Sequence, residues 1–164
     1  MFPQNIPSWA IKGTLVGLIV IIFILLIRWI SERYRRRVVI KTPLSKIDRM
    51  SGTDFENYLA GLYRASGYKV IQVGGSGDYG ADLILKRSNK TTIVQAKRYS
   101  EKVSLPAVQQ VFTAKYFYDA DDCIVVTNSY FTRNARTLAA KVGVGLVDRE
   151  ALTKYISNLS RKGA

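Results

Sequence analysis

An uncharged apolar run, GTLVGLIVIIFILLI at residues 13–27, is the feature that most restricts the fold of this chain. With its apolar neighbours on both sides, which include Trp9 and Trp29, it reaches the ~20 residues that cross a bilayer as a helix. The two tryptophans lie where interfacial aromatic residues are found. The run therefore predicts one transmembrane helix within residues 1–30.

The distribution of basic residues favours a retained anchor over a cleaved signal peptide. A signal peptide carries its positive charges before the apolar run. Here only Lys12 lies just before the run, whereas RWISERYRRR at residues 28–37 follows it with five arginines. The positive-inside rule then predicts a single-pass protein of the inner (cytoplasmic) membrane with its C-terminal domain in the cytoplasm. The arginine cluster is interpreted as a topology signal with affinity for anionic lipid, and a nucleic-acid patch is the alternative.

The remainder of the chain is basic and lacks histidine. The net charge of the whole chain is +13. Residues 51–164 contribute +6 of this, with 16 Lys and Arg against 10 Asp and Glu. This balance favours a polyanionic partner without identifying it. The absence of histidine excludes Ser-His-Asp and Cys-His catalysis and His-based zinc sites. The single cysteine, Cys123, lies in the apolar segment CIVVT and is interpreted as a core residue rather than a nucleophile.

Hydrophobic periodicity divides the rest of the chain into a linker and one domain. Residues 31–50 show no sustained period and are predicted to form a basic juxtamembrane linker before a domain at residues 51–160. The domain is predicted to have the order αβββαβαβα, which is typical of an α/β fold with a mixed sheet flanked by helices. The segments, in that order, are TDFENYLAGLYRASG, YKVIQV, ADLILKR, TTIVQAKRY, PAVQQVFTAKYFY, CIVVTN, FTRNARTLAAKVG, VGLVD and REALTKYISNL.

A glycine-rich loop, GSGDYG at residues 75–80, satisfies the G-x-G-x-x-G pattern of dinucleotide-binding proteins. That pattern requires a helix directly after the third glycine, because the helix N-terminus binds the pyrophosphate. A strand follows here, so no nucleotide cofactor is expected. The glycines are interpreted as permitting a tight turn and leaving room for a ligand backbone beside Asp78 and Asp82.

The predicted hairpin brings three polar residues to one face. If its turn centres on Ser88-Asn89, Asp82 lies across from Gln95; if it centres on Asn89-Lys90, Asp82 faces Lys97. Both alternatives leave Asp82, Gln95 and Lys97 on the same side, since residues two apart on a strand share a face. A three-residue loop would break this parity.

These three side chains suit a divalent-metal phosphodiesterase site. Oxygen atoms of Asp82 and Gln95 are ligands that Mg²⁺ accepts. Lys97 is suited to orienting the attacking water and offsetting transition-state charge. The alternative is a solvent-exposed hairpin with scattered polar residues.

Several segments together resemble the Mrr-type catalytic domain of the restriction-endonuclease-like PD-(D/E)xK fold. They are DFENYLAGLYRASGYKVIQVGGSGDYGADLIL, IVQAKRY, VQQV, IVVTNSYFTRNARTLAAKVGVGLVD and EALTKYI, in the expected order over most of residues 51–156. The resemblance implies metal-dependent cleavage of double-stranded DNA in defence against foreign DNA. The implied cofactor is Mg²⁺, with Mn²⁺ as an alternative.

The resemblance also assigns residues. Asp82 corresponds to the acidic residue at the start of the GxD strand, and Gln95-Ala96-Lys97 is the Q-x-K variant of (D/E)xK. Glu56 matches the family's helical glutamate, which would restore the carboxylate missing at Gln95. Alternatively, Glu56 closes a T-x-x-E capping box that begins at Thr53. Asp78 is interpreted either as a further metal ligand or as a turn residue.

The partners expected from this interpretation are double-stranded DNA, the lipid bilayer and, with the oligomeric state left open, a second copy in a homodimer. Five basic residues are candidates for phosphate contacts: Arg64, Arg98, Lys102, Arg133 and Arg136. The expected function is a membrane-anchored, Mg²⁺-dependent DNA endonuclease. The alternatives are a non-catalytic, membrane-tethered DNA-binding protein and an envelope assembly factor that binds only protein.

Overall fold

The computed structural model of this 164-residue chain describes residues 8–74 and 79–162. The chain divides into two compact units, residues 1–37 and residues 38–164. Helix α1 runs from Ser8 to Ile40. Its stretch Thr14–Ser31 has 18 residues, a mean hydropathy of 2.6 and no burial against protein. A helix of that length measures about 27 Å, close to the ~30 Å of a hydrocarbon core. In length and composition, α1 agrees with the predicted span.

The second unit has the predicted element order. After α2 (Leu44–Ile47) follow α3 (Gly52–Ala65), β1 (Lys69–Gln72), β2 (Leu83–Arg87), β3 (Lys90–Lys97), α4 (Leu105–Phe117), β4 (Asp122–Thr127), α5 (Arg133–Val142), β5 (Gly145–Val147) and α6 (Arg149–Lys162). From α3 onward this is αβββαβαβα, so the prediction is confirmed. The predicted segments were recognisable because each is short, apolar and bounded by turn residues.

One mixed sheet of five strands, ordered β1-β2-β3-β4-β5, organises the unit. The first three strands are antiparallel, and β3, β4 and β5 are parallel. Val94 and Ala96 of β3 pack toward α3 and α6, whereas Ile93 packs toward α4 and α5. Because side chains alternate along a strand, Gln95 and Lys97 point to the α4 and α5 side.

The segment predicted as a linker, residues 31–50, is not irregular in the structure. Helix α1 continues to Ile40, and one further turn forms α2 after Pro43. Ile47 is fully buried in the core beside α3. Val39 packs on Gly61, where a Cβ atom would lie 3.0 Å from Val39 Cγ2. A single turn of helix is too short to show a hydrophobic period, which explains why the sequence pattern indicated a linker.

Candidate active site

The β2–β3 hairpin turns at Ser88-Asn89, the first of the two predicted alternatives. Leu83 pairs with Val94, and Arg87 pairs with Lys90. Ser88 adopts a left-handed conformation with φ of 54°, which lets the two-residue loop close. The paired register begins at Leu83, and the preceding residue, Asp82, donates its backbone N–H to Val94 O at 2.9 Å.

Asp82 and Gln95 form a buried polar pair. Gln95 Nε2 donates to Asp82 Oδ2 at 2.5 Å, and the backbone N–H of Ala96 donates to the same oxygen at 2.6 Å. Asp82 is 8% exposed and Gln95 is 3% exposed. Buried polar groups at such distances hold one another in a fixed arrangement. The side chains of Asp82 and Gln95, which the sequence placed on one face of the hairpin, are thus in direct contact.

The donor set at this pair suits a hard divalent cation. Gln95 Oε1 is buried and has no hydrogen-bond partner among the residues that the structure describes. A buried acceptor without a donor is costly, and a bound cation would satisfy it. Within the described ranges no group of three or more His, Cys, Asp or Glu side chains is placed to hold an ion. The predicted ligand set therefore depends on the amide of Gln95.

Lys97 is the last residue of β3 and is held by its backbone. Thr127 Oγ1 donates to the carbonyl oxygen of Lys97 at 2.6 Å, and Tyr99 N donates to Asn128 Oδ1 at 3.0 Å. The side chain is half-buried and takes part in none of the ion pairs between described residues. A lysine that makes no ion pair within the described part of the chain is suited to binding a phosphate group.

Glu56 does not belong to a capping box that begins at Thr53. The helix N-cap is Ser51, whose Oγ accepts from Asp54 N at 3.1 Å while Asp54 Oδ2 accepts from Ser51 N at 3.4 Å. Thr53 already lies inside α3, because the Ser51 and Asp54 pair closes the box two residues earlier. The capping alternative for Glu56 is wrong.

Glu56 lies on α3, which packs on the face of β3 opposite to Gln95 and Lys97, so its role as a metal ligand stays a prediction. Glu56 is half-buried in the first half of the helix. The next residue, Asn57, accepts from Gln72 Nε2 at 2.8 Å, and Val73 N donates to Asp82 O at 2.9 Å. These contacts place this part of α3 at the same end of the sheet as Asp82.

Gly80, in the described part of the glycine-rich loop, agrees with the predicted tight turn but not with the predicted space for a ligand. Strand β2 follows Gly80, as predicted. Gly80 has φ of +91°, and a Cβ atom there would lie 2.8 Å from the carbonyl oxygen of Gln110 on α4. The space beside Gly80 is thus filled by α4 rather than left for a ligand. Gly75, Gly77 and Asp78, and with Asp78 its predicted roles, lie outside the described residues.

A polar cluster that was not predicted joins Asp48, Asn128 and Arg149. Arg149 Nη1 and Nη2 donate to Asp48 Oδ1 and Oδ2 at 2.7 and 2.8 Å, and Asn128 Nδ2 donates to Asp48 Oδ1 at 3.0 Å. Asn128 also accepts from the backbone of Tyr99, two residues after Lys97. The partners are 80 and 101 positions from Asp48 in the chain, so no local spacing indicates the cluster.

The cluster predicts an acid-dependent loss of stability. The hydrogen bond from Arg149 lowers the pKa of Asp48 below its ordinary value, against the opposing effect of burial. A lowered folded-state pKa stabilises the fold above pH ~4, and this contribution disappears as the pH falls through the folded value. We expect Asp48→Asn to lower the free energy of unfolding at pH 7 by roughly 1 kcal/mol, allowing for the half-exposed pair. Urea unfolding at several pH values tests this.

The variant should also flatten the pH dependence of stability below about pH 4, since it has no carboxylate to protonate at this position. Asp122→Asn, at an exposed position whose Oδ2 lies 4.0 Å from Lys90 Nζ, is the control and should change little. Equal stability of the Asp48 variant and the parent at pH 7 would show that the cluster contributes nothing.

The five basic residues fall into two groups. Arg98, Lys102 and Arg133 come from the segments after β3 and β4, which are joined by Val103 N to Tyr130 O at 2.8 Å and Thr132 N to Val103 O at 3.0 Å. They lie at the same end of the sheet as Lys97, where β3 and β4 end. The other two are engaged elsewhere: Arg64 donates to Val70 O and Gln72 Oε1 at 3.5 Å, and Arg136 pairs with Asp148 at 2.9 Å.

Cys123 is a core residue, as predicted. It is 2% exposed and packs among the side chains between the sheet and α4 and α5. Burial raises the pKa of its thiol above the ordinary value, which disfavours the nucleophilic thiolate.

Comparisons with known proteins agree with this fold. Residues 47–156 match the Mrr catalytic domain family, described as a restriction endonuclease. The chain is 32% identical over 126 residues to the type IV methyl-directed restriction enzyme EcoKMrr of Escherichia coli strain K12, an alignment that covers 71% of this chain and 41% of that protein. The chain thus spans less than half the length of this curated relative.

Two solved structures share the architecture. The DNA modification-dependent restriction endonuclease AspBHI superposes with a TM-score of 0.55 at 18% identity, over 79% of this chain and 36% of that one. The protein of unknown function AF1548 superposes with a TM-score of 0.50 at 16% identity, over 57% and 56% of the two chains. The predicted restriction-endonuclease-like fold is confirmed.

Proposed function

Because this chain belongs to the Mrr restriction endonuclease family, we propose that it is a membrane-anchored, Mg²⁺-dependent endonuclease that hydrolyses phosphodiester bonds of double-stranded DNA in restriction of foreign DNA. One observation carries the proposal. Asp82, just before β2, and Gln95, on the strand that ends with Lys97, form a buried pair in which the amide oxygen of Gln95 is unsatisfied. This arrangement supplies oxygen ligands and a cation at one place.

Asp82 and Gln95, with Glu56 from α3, are the residues that would hold the metal. When bound, Mg²⁺ polarises a phosphoryl oxygen and lowers the pKa of a coordinated water molecule. The protein's contribution is to keep the oxygen ligands fixed in a buried environment, where electrostatic interactions are stronger than in water. Mn²⁺ is the alternative ion for the same oxygen donors.

Lys97 is proposed to act on the substrate directly. Its ammonium group orients the attacking water and offsets the negative charge that develops on the phosphoryl oxygens. The hydrogen bond from Thr127 to the Lys97 carbonyl holds the end of β3, so that the side chain begins from a fixed backbone position.

DNA binding is proposed to depend on phosphate contacts. Residues 51–164 carry a net charge of +6, and Arg98, Lys102 and Arg133 lie at the end of the sheet where β3 ends with Lys97. Such contacts hold the duplex without reading its sequence, and the affinity should fall steeply with salt. The apolar stretch Thr14–Ser31 supports an anchor in the inner membrane, and the arginines after it support a cytoplasmic domain.

A second function is favoured by one specific contact. The Gln95 amide nitrogen donates to Asp82 Oδ2, so the two side chains attract each other without an ion, whereas two facing carboxylates would repel. A non-catalytic, membrane-tethered DNA-binding protein would retain the fold and the basic surface. Nicking of supercoiled plasmid by the full chain, with Mg²⁺ and with EDTA, beside a gel-shift in EDTA, separates the two functions. Metal-dependent nicking supports the nuclease, and a gel-shift without nicking supports the tether.

Replacing Gln95 by glutamate should couple folding to the metal. The new carboxylate would lie beside Asp82 Oδ2 at the 2.5 Å now spanned by a hydrogen bond, so like charges would repel unless a cation lies between them. We therefore expect Gln95→Glu to lower the melting temperature in EDTA and to raise it more strongly with Mg²⁺ than in the parent. The Mg²⁺ concentration for half-maximal cleavage should fall, although the added charge limits any gain in rate.

The matched control is Asn158→Asp, the same change from amide to carboxylate at an exposed position of α6. It should show the parent's Mg²⁺ dependence in both measurements. If Gln95→Glu also shows the parent's dependence, Gln95 is not a metal ligand.

A further inference from the structure

One short buried segment holds the end of strand β3 at two points, on either side of Arg98. Thr127 Oγ1 donates to the carbonyl oxygen of Lys97 at 2.6 Å, and Tyr99 N donates to Asn128 Oδ1 at 3.0 Å. Thr127 and Asn128 are 0% and 5% exposed. The backbone from which the Lys97 side chain extends is therefore fixed by two consecutive residues that follow β4.

The side-chain amide of Asn128 satisfies its neighbours in only one orientation. Its Nδ2 donates to Asp48 Oδ1 at 3.0 Å, while its Oδ1 accepts from Tyr99 N. An ionised carboxylate only accepts hydrogen bonds, and a backbone N–H only donates them. If the amide were rotated by half a turn, its oxygen would face the carboxylate and its NH₂ group would face the N–H. Asp48 therefore selects the orientation that presents an acceptor to Tyr99 N.

Arg149 holds Asp48 in the place from which it orients the amide. Its Nη1 and Nη2 donate to the two carboxylate oxygens at 2.7 and 2.8 Å, a bidentate geometry that leaves the carboxylate little freedom to turn. Nη1 also donates to the carbonyl oxygen of Asn128 at 2.8 Å, and the backbone N–H of Arg149 donates to Ser129 O at 2.8 Å. The same arginine thus fixes both the acid and the segment that the acid orients.

We propose that Asp48 is a positioning residue for Lys97, acting through the amide of Asn128 and the backbone N–H of Tyr99. The inference rests on the proposed function, because it concerns how the ammonium group is aimed at the phosphate. A lysine side chain is long and flexible, so its reach depends on where its backbone is held. Misplacement of a reacting group by about 1 Å lowers a rate by as much as ~10²-fold.

The functional unit then begins before residue 51. Asp48 is the C-cap of α2, in the segment 31–50 that the sequence pattern predicted as a linker. The single turn of α2 buries Ile47 in the core, which places the next residue beside the end of β4. The segment between the apolar helix and the sheet therefore contributes a side chain to the arrangement behind the active site.

A second acid–arginine pair of the same unit supplies the matched control. Asp148 Oδ2 accepts from Arg136 Nη2 at 2.9 Å, and Asp148 Oδ1 accepts from Ala151 N at 3.1 Å. These contacts involve neither Asn128 nor Tyr99. Asp148→Asn is therefore the same change, at an arginine-bound carboxylate, as Asp48→Asn. It should lower stability without changing the rate of nicking.

An exchange of acid and amide in the full chain tests the positioning role. Asp48→Asn removes the group that only accepts, and Asn128→Asp sets two carboxylates against each other. The double variant again places one amide opposite one carboxylate, and the carboxylate at position 128 accepts from Tyr99 N. Three quantities are measured where circular dichroism shows each variant folded: single-turnover nicking at saturating Mg²⁺, DNA affinity by gel-shift in EDTA, and hydrogen exchange at Tyr99 N–H.

We expect each single variant to nick roughly tenfold more slowly than the parent, and the double variant to return to within roughly threefold of the parent rate. Exchange at Tyr99 N–H should accelerate in the single variants and slow again in the double variant. DNA affinity should stay within about twofold, because no basic residue is removed.

Three outcomes would contradict the role of Asp48. Parent-like nicking by Asp48→Asn, a slowing by Asp148→Asn equal to that by Asp48→Asn, or a double variant that regains stability but not rate would show that the acid acts only in folding. A parent chain that does not nick plasmid with Mg²⁺ would instead overturn the proposed function, and the positioning role with it.

Discussion

Replacing Asp82 by asparagine is expected to lower the rate of plasmid nicking by ~10³-fold at saturating Mg²⁺, which corresponds to about 4 kcal/mol in the activation free energy. Asp82 is the only acid among the three hairpin residues, and a neutral amide binds Mg²⁺ less well than a carboxylate. The isosteric side chain still has an oxygen to accept from Ala96 N, so the local fold should persist. Rates of supercoil relaxation at a series of Mg²⁺ concentrations measure the effect.

The matched control for this change is Asp122→Asn. Asp122 is exposed and pairs in register with Thr92, at the opposite end of the sheet from Asp82. It should nick plasmid at the parent rate. A parent-like rate for Asp82→Asn itself, with an unchanged circular dichroism spectrum, would remove Asp82 from the proposed active site.

The order of elements could be predicted because each segment carries its own signal. The run CIVVT indicates a buried strand from its composition alone, and it lies within β4 with Val125 and Val126 fully buried on opposite faces. The hairpin was predicted for the same reason, since two apolar strands flank a short polar turn. Local patterns of this kind do not depend on the rest of the chain.

The register of the hairpin could only be reduced to two alternatives. Both two-residue turns keep Asp82, Gln95 and Lys97 on one face, and the difference lies in whether Ser88 adopts a positive φ. Serine has no strong preference for a positive φ, so its presence at position 88 does not decide which two residues form the turn. The side-chain parity was therefore predictable, whereas the direct contact between Asp82 and Gln95 required the structure.

Long-range contacts account for what could not be predicted. Asp48 and Arg149 lie 101 positions apart, and neither has a neighbour that indicates the other. The same is true of Gly80, whose close approach to Gln110 depends on how α4 packs on the sheet. The capping box considered at Thr53 was wrong for a local reason, because Ser51 and Thr53 each precede an acidic residue by three positions and only the backbone geometry selects Ser51.

Replacing Lys97 by alanine should reduce plasmid nicking by ~10²–10³-fold, the loss typical of one donor that stabilises a developing oxyanion. DNA binding should be largely retained, because Lys97 is one of 16 basic residues in residues 51–164 and its loss removes at most about one phosphate contact. Nicking under single-turnover conditions, with a gel-shift in EDTA for affinity, separates the two effects.

Lys90→Ala is the matched control, since Lys90 is exposed at the other end of the same strand. If the two alanine variants lose equal activity, Lys97 acts only through overall charge; if Lys97→Ala loses DNA binding in proportion to cleavage, it holds the substrate and does not stabilise the transition state.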